Sequence, residues 1–472
     1  MVLEHEAMAR KLAKIIYFPM EIASRELDSR LLLAAIAASH GFEVVLGQKW
    51  LIEKNIGHMT PGVYLSKTMT VRDAKMLKRA KAAGYITAAI DEEIPGLVVH
   101  DRKFWWVSRA AVEATDLIFL PGSYNSSAFA SSFGLEEGRV RRATNPRWDL
   151  LHRELRSVFD EEVAALRQRY GEFILVNSNL GLSNSKKGDA RQMIQGLIDQ
   201  GKVDAGDTDL LRDLDHIVEM EAQNRVALLE LLPQLVQRFP RYRVILRPHP
   251  SEEVENWRTW LAECPAIEVV REGAAVPWIL ASNVLIHTNC TTGVEAIALD
   301  KPSICLVPAE NPANRRYLSN VVNPVATSVA GTLAEIERVL AAPDRCYSDN
   351  MVACFHDSMS YDPDRFGAES MIDDIIALGN ARGWSEPASE VSDWRAYSGY
   401  RWRQKDKNVR GILFPDESLA SVEGRLQQYA KLLNLDINLR AEPGGNKVIL
   451  LSPRRLNLQT RVRRAIGALQ FA

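Results

Sequence analysis

The sequence predicts an α/β protein of two Rossmann-like domains, each a parallel sheet flanked by helices, followed by a C-terminal extension. Three observations predict it. Strand, helix and strand succeed one another from Lys14 to Leu46, the β-α-β unit of a parallel sheet. The alternation restarts at Phe173, after a long polar helical stretch. Between Arg243 and Pro308, two apolar strands each run straight into a short polar loop, the pattern expected at the carboxyl edge of an open sheet. Domains are expected at residues 1–165, 166–385 and 386–472, because a chain of 472 residues has room for two or three cores.

In the first domain, Lys14–Phe18 is the first strand. Glu21–Gly41 places Leu27, Leu31, Ala34 or Ala35, and Ala38 on one helical face and stops at a glycine; Glu43–Leu46 is the next strand. The loop Pro19–Arg25 lacks GxGxxG spacing, so no dinucleotide cofactor is expected. Glu21 and Arg25 there read as a solvated helix start with its partner. Tyr64–Ser66 and Ile86–Ile90 are further strands, and the second runs into Asp91-Glu92-Glu93. Three consecutive carboxylates at a strand end repel one another, which raises at least one pKa. A poised carboxylate is what a group transfer needs, as a base toward a hydroxyl or as a nucleophile; the alternative is an acidic, solvated turn. An aromatic FWW ends at Trp106, Asp116–Leu120 is a strand, and the following PGSYNSSAF reads as a loop of small polar groups. Asn145–Asp149, NPRWD, reads as an Asn145 cap with an Arg147–Asp149 pair at a domain boundary. Leu150–Tyr170 is helical and leads into the second domain.

There, Phe173–Val176 ends in Asn177-Ser178-Asn179 and a run of Gly, Ser and Asn. Such small groups let a backbone approach a phosphate or nucleotide closely. GKS/T is missing, so the run is not a P-loop. Asp204–Phe239 is amphipathic, with Leu228, Leu231, Leu232 and Leu235 inward. Val244–Leu246 is a buried strand followed by Arg247-Pro248-His249-Pro250, and two prolines take the chain out of the sheet. That leaves His249 at a strand's carboxyl end. Val284–Ile286 repeats the logic: its loop, His287-Thr288-Asn289-Cys290, opens a helix at Thr291-Thr292-Gly293. Backbone N–H groups beside two hydroxyls suit a phosphate.

The pair RPHP and HTNCTTGVEA resembles the HP motif and the Ser/Thr motif of bacterial glycosyltransferases that use CMP-activated sugars, the GT-B-fold sialyltransferases and Kdo transferases. The wider pattern, over about residues 10–370, resembles a surface carbohydrate biosynthesis family of that superfamily. Thr291-Thr292 stand where the family has two serines. Asp91-Glu92-Glu93 resembles its Asp/Glu-Asp/Glu-Gly motif, with Ile94-Pro95 interposed before Gly96. The resemblance implies the GT-B arrangement, two domains facing across a cleft with the donor motifs in the second. It implies transfer of a nonulosonate sugar, Kdo foremost, from a CMP donor to a surface polysaccharide or glycolipid. On that reading His249 donates to the CMP phosphate, and Asp91, Glu92 or Glu93 supplies the catalytic carboxylate. The donor is bound by Arg247, Pro250, Thr288, Asn289, Thr291, Thr292, Gly293 and Glu295, with Asn177, Ser178 and Asn179. Arg247 either meets a donor carboxylate or phosphate or pairs with Glu252 or Glu253. Glu295 either accepts from ribose hydroxyls or is an acid on the helix surface. No metal and no cofactor beyond the CMP-sugar is expected. The alternatives are another GT-B enzyme, such as a UDP-sugar 2-epimerase or a CDP-polyol phosphotransferase, and a non-catalytic assembly partner.

Composition narrows the class further. With a net charge of −2 the chain has no global field that would recruit nucleic acid or an anionic membrane. The 5 cysteines are odd in number and none form CxxC, which points to a reduced compartment without a disulfide framework or zinc site. The opening stretch MVLEHEAMARKLAKIIYF has no signal-peptide core, and the longest apolar run, Leu31–Ala38, is far short of a membrane span. The expected location is the cytoplasm. Glu386–Ser392 reads as a linker, followed by an aromatic, basic stretch and a small α/β piece: strand Gly411–Phe414, helix Leu419–Leu433, and strands near Asp436–Leu439 and Lys447–Leu451. Arg454–Ala472 holds five arginines and no acid, with Leu458, Val462, Ile466 and Leu469 on one face. This basic amphipathic helix either docks on the protein or lies on the anionic inner face of the inner membrane.

Overall fold

The computed structural model describes residues 11–21, 23–57, 59–92, 104, 106–136, 138–201, 203–385, 418–437, 440–443 and 448–452. The α/β class is as expected: two Rossmann-like units, each on its own sheet. In the first, β1 (Ile15–Met20), β2 (Glu43–Gln48), β3 (Val63–Ser66), β4 (Ile86–Ile90), β5 (Leu117–Leu120) and β6 (Val140–Arg142) run parallel in the order β2-β1-β3-β4-β5-β6. Every residue of β1, β3, β4 and β5 is buried. Strands covered on both faces need continuous apolar runs rather than alternation, and that is how these read.

In the second unit, β7 (Phe173–Asn177), β8 (Arg243–Arg247), β9 (Ile267–Val269), β10 (Val284–His287), β11 (Ser303–Leu306) and β12 (Val325–Ala326) are parallel in the order β12-β11-β10-β7-β8-β9. This is the doubly wound order, in which the chain reverses its direction of travel across the sheet between β7 and β10. The helix Thr208–Arg238 buries Leu228, Leu231, Leu232 and Leu235 on this sheet, the face its periodicity predicted.

The described residues fall into two units: those up to Glu92, Trp106–Leu150 and those from Ser360 onward make the first, and those of Leu151–Met359 the second. Two contacts explain why the end of the chain returns. The helix Gly367–Ala381 packs on Ala23–Ser39 and on the NPRWD helix Pro146–Asp149. Farther on, β13 (Arg440–Pro443) and β14 (Val448–Ser452) form a hairpin, and β14 pairs antiparallel with β2. The C-terminal piece is thus an edge of the first sheet. The run after β5, expected as a loop, is the helix Ser123–Phe133. Gly122 and Gly134, both at positive φ, turn the chain at its two ends, and Phe129 and Phe133 stack one turn apart at 4.7 Å with Phe129 buried. Strand Gly411–Phe414, the linker Glu386–Ser392, the aromatic basic stretch, Glu93 to Gly96 and the basic helix Arg454–Ala472 lie outside the described residues.

NPRWD resolves into two caps. Asn145 Oδ1 accepts from the Arg147 N–H at 2.9 Å, as expected. Asp149 is fully buried and does not pair with Arg147; its carboxylate accepts from the N–H groups of Gly367 and Ala368, both at 2.8 Å. Burial pushes its pKa up to about 7, against the pull of those two donors. The sign follows. A carboxyl whose folded pKa exceeds its unfolded value adds stability at low pH, and that stability is lost as pH rises through about 7. Urea unfolding should therefore show the wild-type chain less stable at pH 7.5 than at pH 5.5, with a slope of at most about 1.4 kcal/mol per pH unit from this group. Asp149→Asn should flatten part of that slope; an unchanged slope in the variant refutes the assignment.

Candidate functional site

Three neighbouring strands of the second sheet end level. Arg247 of β8 lies beside Asn177 of β7, and Asn177 beside His287 of β10. Adjacent strands are about 4.8 Å apart, so the loops that leave them start side by side at the switch point. These loops carry Ser178-Asn179, Pro248-His249-Pro250 and Thr288-Asn289-Cys290, and the last leads into the helix Thr291–Ala298.

The loops are stitched together by a group that the sequence offers only as a partner for Arg247. Glu252 is fully buried and accepts from Ser178 Oγ at 2.8 Å, the N–H of Leu180 at 3.1 Å, the N–H of His249 at 2.9 Å and Trp257 Nε1 at 2.7 Å. One carboxylate thereby fixes the β7 loop against the His249 loop. Asn179 Nδ2 donates to the Asn289 carbonyl at 2.9 Å and ties the β7 loop to the β10 loop. Glu221, from the long helix, accepts from the N–H groups of Leu182 and Ser183 at 2.9 and 2.6 Å, and burial pushes its pKa up to about 7.

On this frame His249 is exposed. The Ser251 N–H lies 3.3 Å from His249 Nδ1 and the Ser251 hydroxyl 2.7 Å from it. An amide only donates, so Nδ1 accepts and the neutral ring carries its proton on Nε2. Thr291 is exposed at the first turn of its helix, and the N-cap Cys290 supplies no capping side chain. The buried Asn177 Oδ1 and Thr288 Oγ1 have no hydrogen-bond partner among the described residues, and groups of that kind are met by water or ligand. Donors, hydroxyls and a positive helix end at one edge form a place for an anion.

Other expected residues are placed differently. Arg247 pairs with neither Glu252 nor Glu253. Its guanidinium donates to the carbonyls of Glu272 and Gly273 at 2.8 and 2.9 Å and lies 4.9 Å from the Trp278 ring; burial lowers its pKa to about 10. Asn289 is in the left-handed region at φ 49° and turns its side chain into the unit, where it accepts from Asn320 Nδ2 at 2.6 Å and donates to Asn314 Oδ1 at 3.2 Å. Glu295 is buried, not an acid on the helix surface. Gly293 is glycine for a packing reason: a Cβ there would run into the ring of His287, which is fully buried and held neutral with its pKa pushed down to about 3. Pro250 is exposed beside His249.

In the first unit, Asp91 and Glu92 follow β4, and Glu93 lies outside the described residues. Each of the two has its own partner. Asp91 is buried and accepts from Trp106 Nε1 at 3.1 Å; Glu92 meets Arg30 NH2 at 3.2 Å. The expected loop Pro19–Arg25 opens on a further charge cluster. Glu21 bridges Lys49 at 3.0 Å and Lys67 at 2.8 Å, and Lys67 also reaches the buried Glu26 at 3.2 Å. Against a burial penalty, the two lysines hold the Glu21 carboxyl below its usual range.

No protein-family profile matches the chain, and no curated protein matches it. Solved structures do. A variant of the wall teichoic acid polymerase TagF soaked with CDPG is 12% identical over 77% of this chain and 89% of that one, with a TM-score of 0.47. HepE from Anabaena, in complex with UDP and glucose, is 12% identical over 77% and 99%, with a TM-score of 0.45. The UDP-GlcNAc 2-epimerase from Methanocaldococcus jannaschii is 13% identical over 78% and 100%, with a TM-score of 0.49. Among the described residues, no helix is long and apolar enough to cross a membrane.

Proposed function

We propose that this chain is a glycosyltransferase that takes a nonulosonate sugar, Kdo foremost, from a CMP donor and passes it to a surface polysaccharide or glycolipid on the cytoplasmic side. The observation that carries the proposal is the level ending of β8, β7 and β10, which brings the His249 loop, the Asn177-Ser178-Asn179 loop and the Thr291-Thr292 helix start to one edge. The His249 Nε2–H donates to the CMP phosphate and offsets charge on the departing nucleotide; the helix start and its hydroxyls hold the same phosphate. A carboxylate of Asp91, Glu92 or Glu93 takes the acceptor hydroxyl's proton or holds the sugar. Of the described pair, Glu92 is neutralised by Arg30 and Asp91 is buried against Trp106.

Calorimetric titration with CMP, UDP and CDP tests the donor class. CMP should bind tightest. Preference for UDP would replace the proposal with a UDP-sugar epimerase or transferase, and preference for CDP with a polyol phosphotransferase. For catalysis, the single amide variants of Asp91, Glu92 and Glu93 should retain CMP affinity while one of them loses most of its turnover. Three variants at wild-type rate would remove the acids from the mechanism.

A further inference from the structure

The second sheet has a cavity at its other edge. It measures about 560 Å³ and is lined by residues that immediately precede three adjacent strands: Gly171-Glu172 before β7, Ser282-Asn283 before β10, and Lys301-Pro302 before β11. Arg167 and Asp300 complete the part that matters here. Strands of this length at about 3.3 Å per residue put roughly 15 Å between this amino edge and the carboxyl edge that holds His249.

The charges in the cavity do not balance. Asp300 is taken by Arg153 at 3.0 Å and Arg156 at 3.1 Å, and Glu172 by Arg241 at 2.7 Å. Arg167 donates to the Leu280 carbonyl at 3.1 Å and meets no carboxylate among the described residues. The Lys301 ammonium has no hydrogen-bond or ion-pair partner among the described residues. Burial first, and then the like charge of Arg167, pushes the Lys301 pKa down to about 8. Two cations, an exposed Arg167 and a half-buried Lys301, thus face one space whose lining carboxylates are already engaged, so an anion that enters it meets charge not yet neutralised.

We propose that this cavity is a second binding site, for a small polyanion of the phosphate class, held between Lys301 and Arg167. Its volume lies in the range of small-molecule sites and is far larger than a single phosphate needs, which favours a pyrophosphate or nucleoside polyphosphate. The proposal does not depend on the donor chemistry at the carboxyl edge.

Calorimetry of the full chain with inorganic pyrophosphate, at fixed ionic strength, tests it. One saturable site is expected. Lys301→Gln and Arg167→Gln should each weaken binding about tenfold or more, as loss of a charge-assisted contact does. Lys301→Arg should restore most of the affinity, so a folding defect in the glutamine variant would not hide the result. His249→Ala, and saturation with CMP, should leave pyrophosphate binding unchanged. The proposal is overturned by wild-type protein that takes up no pyrophosphate, by both glutamine variants binding like wild type, or by CMP displacing pyrophosphate. A chain that ignores CMP yet binds pyrophosphate with this pattern would sink the transferase reading alone.

Discussion

With His249 replaced by alanine, turnover of the CMP-sugar is expected to fall about a hundredfold or more, and CMP affinity to fall with it, the range seen when an oriented charge stabiliser is removed. The basis is orientation rather than mere presence. The Ser251 N–H holds Nδ1 as an acceptor, so the neutral ring offers a single defined donor, Nε2–H, from an exposed position. The backbone of His249 is fixed as well, through its own N–H to Glu252 at 2.9 Å. Little reorganisation is then needed when a phosphate arrives. Initial rates with saturating donor, together with CMP titration, read the effect. A variant with unchanged rate and unchanged CMP affinity would show that His249 only packs.

Glu252→Ala is expected to be the most damaging single change in the second unit. Removing the carboxylate strands four buried or half-buried donors at once: Ser178 Oγ, Leu180 N–H, His249 N–H and Trp257 Nε1. Each unsatisfied donor costs about 1–3 kcal/mol, but neighbouring losses do not add, so a total of roughly 3–5 kcal/mol is the expectation. Urea unfolding measures it. CMP affinity should drop as well, because the His249 and Ser178 loops lose their common anchor. A loss below about 1 kcal/mol would mean that water replaces the carboxylate without cost, and that the carboxylate does not build the frame.

Much of this was legible in the chain. Apolar runs locate the parallel strands to within a few residues, and the prolines after β8 place His249 at a strand end. The helix start at Thr291 fell where a loop of small polar residues met an apolar run. What stayed hidden depends on partners distant in sequence. Nothing near Glu252 distinguishes it from a solvated acid in a turn, because its donors include Ser178 and Leu180, more than seventy residues earlier. Asp149 looked like a partner for Arg147, its neighbour, and instead caps a helix 218 residues downstream. The ring that makes Gly293 obligatory belongs to His287, yet the triplet Thr-Thr-Gly reads naturally as phosphate chemistry. The burial of Glu295 and the half-buried place of Arg247 likewise come from the fold around them, since each residue type is usually exposed.

The hairpin that completes the first sheet also sets an order of events in synthesis. Leu46 of β2 pairs with Ile449 of β14. While the ribosome adds everything between them, β2 has β1 on one side and an open row of N–H and C=O groups on the other, the kind of edge that invites pairing with other chains. Loop-closure entropy grows only with the logarithm of length, so the late partner is thermodynamically inexpensive. It is nonetheless slow to find, because pairing across such separation delays folding. Every strand of the second unit, β7 to β12, has by then been made. The strands of the inserted unit are therefore made before the host's sheet is complete, and the host's exposed edge persists until β14 emerges.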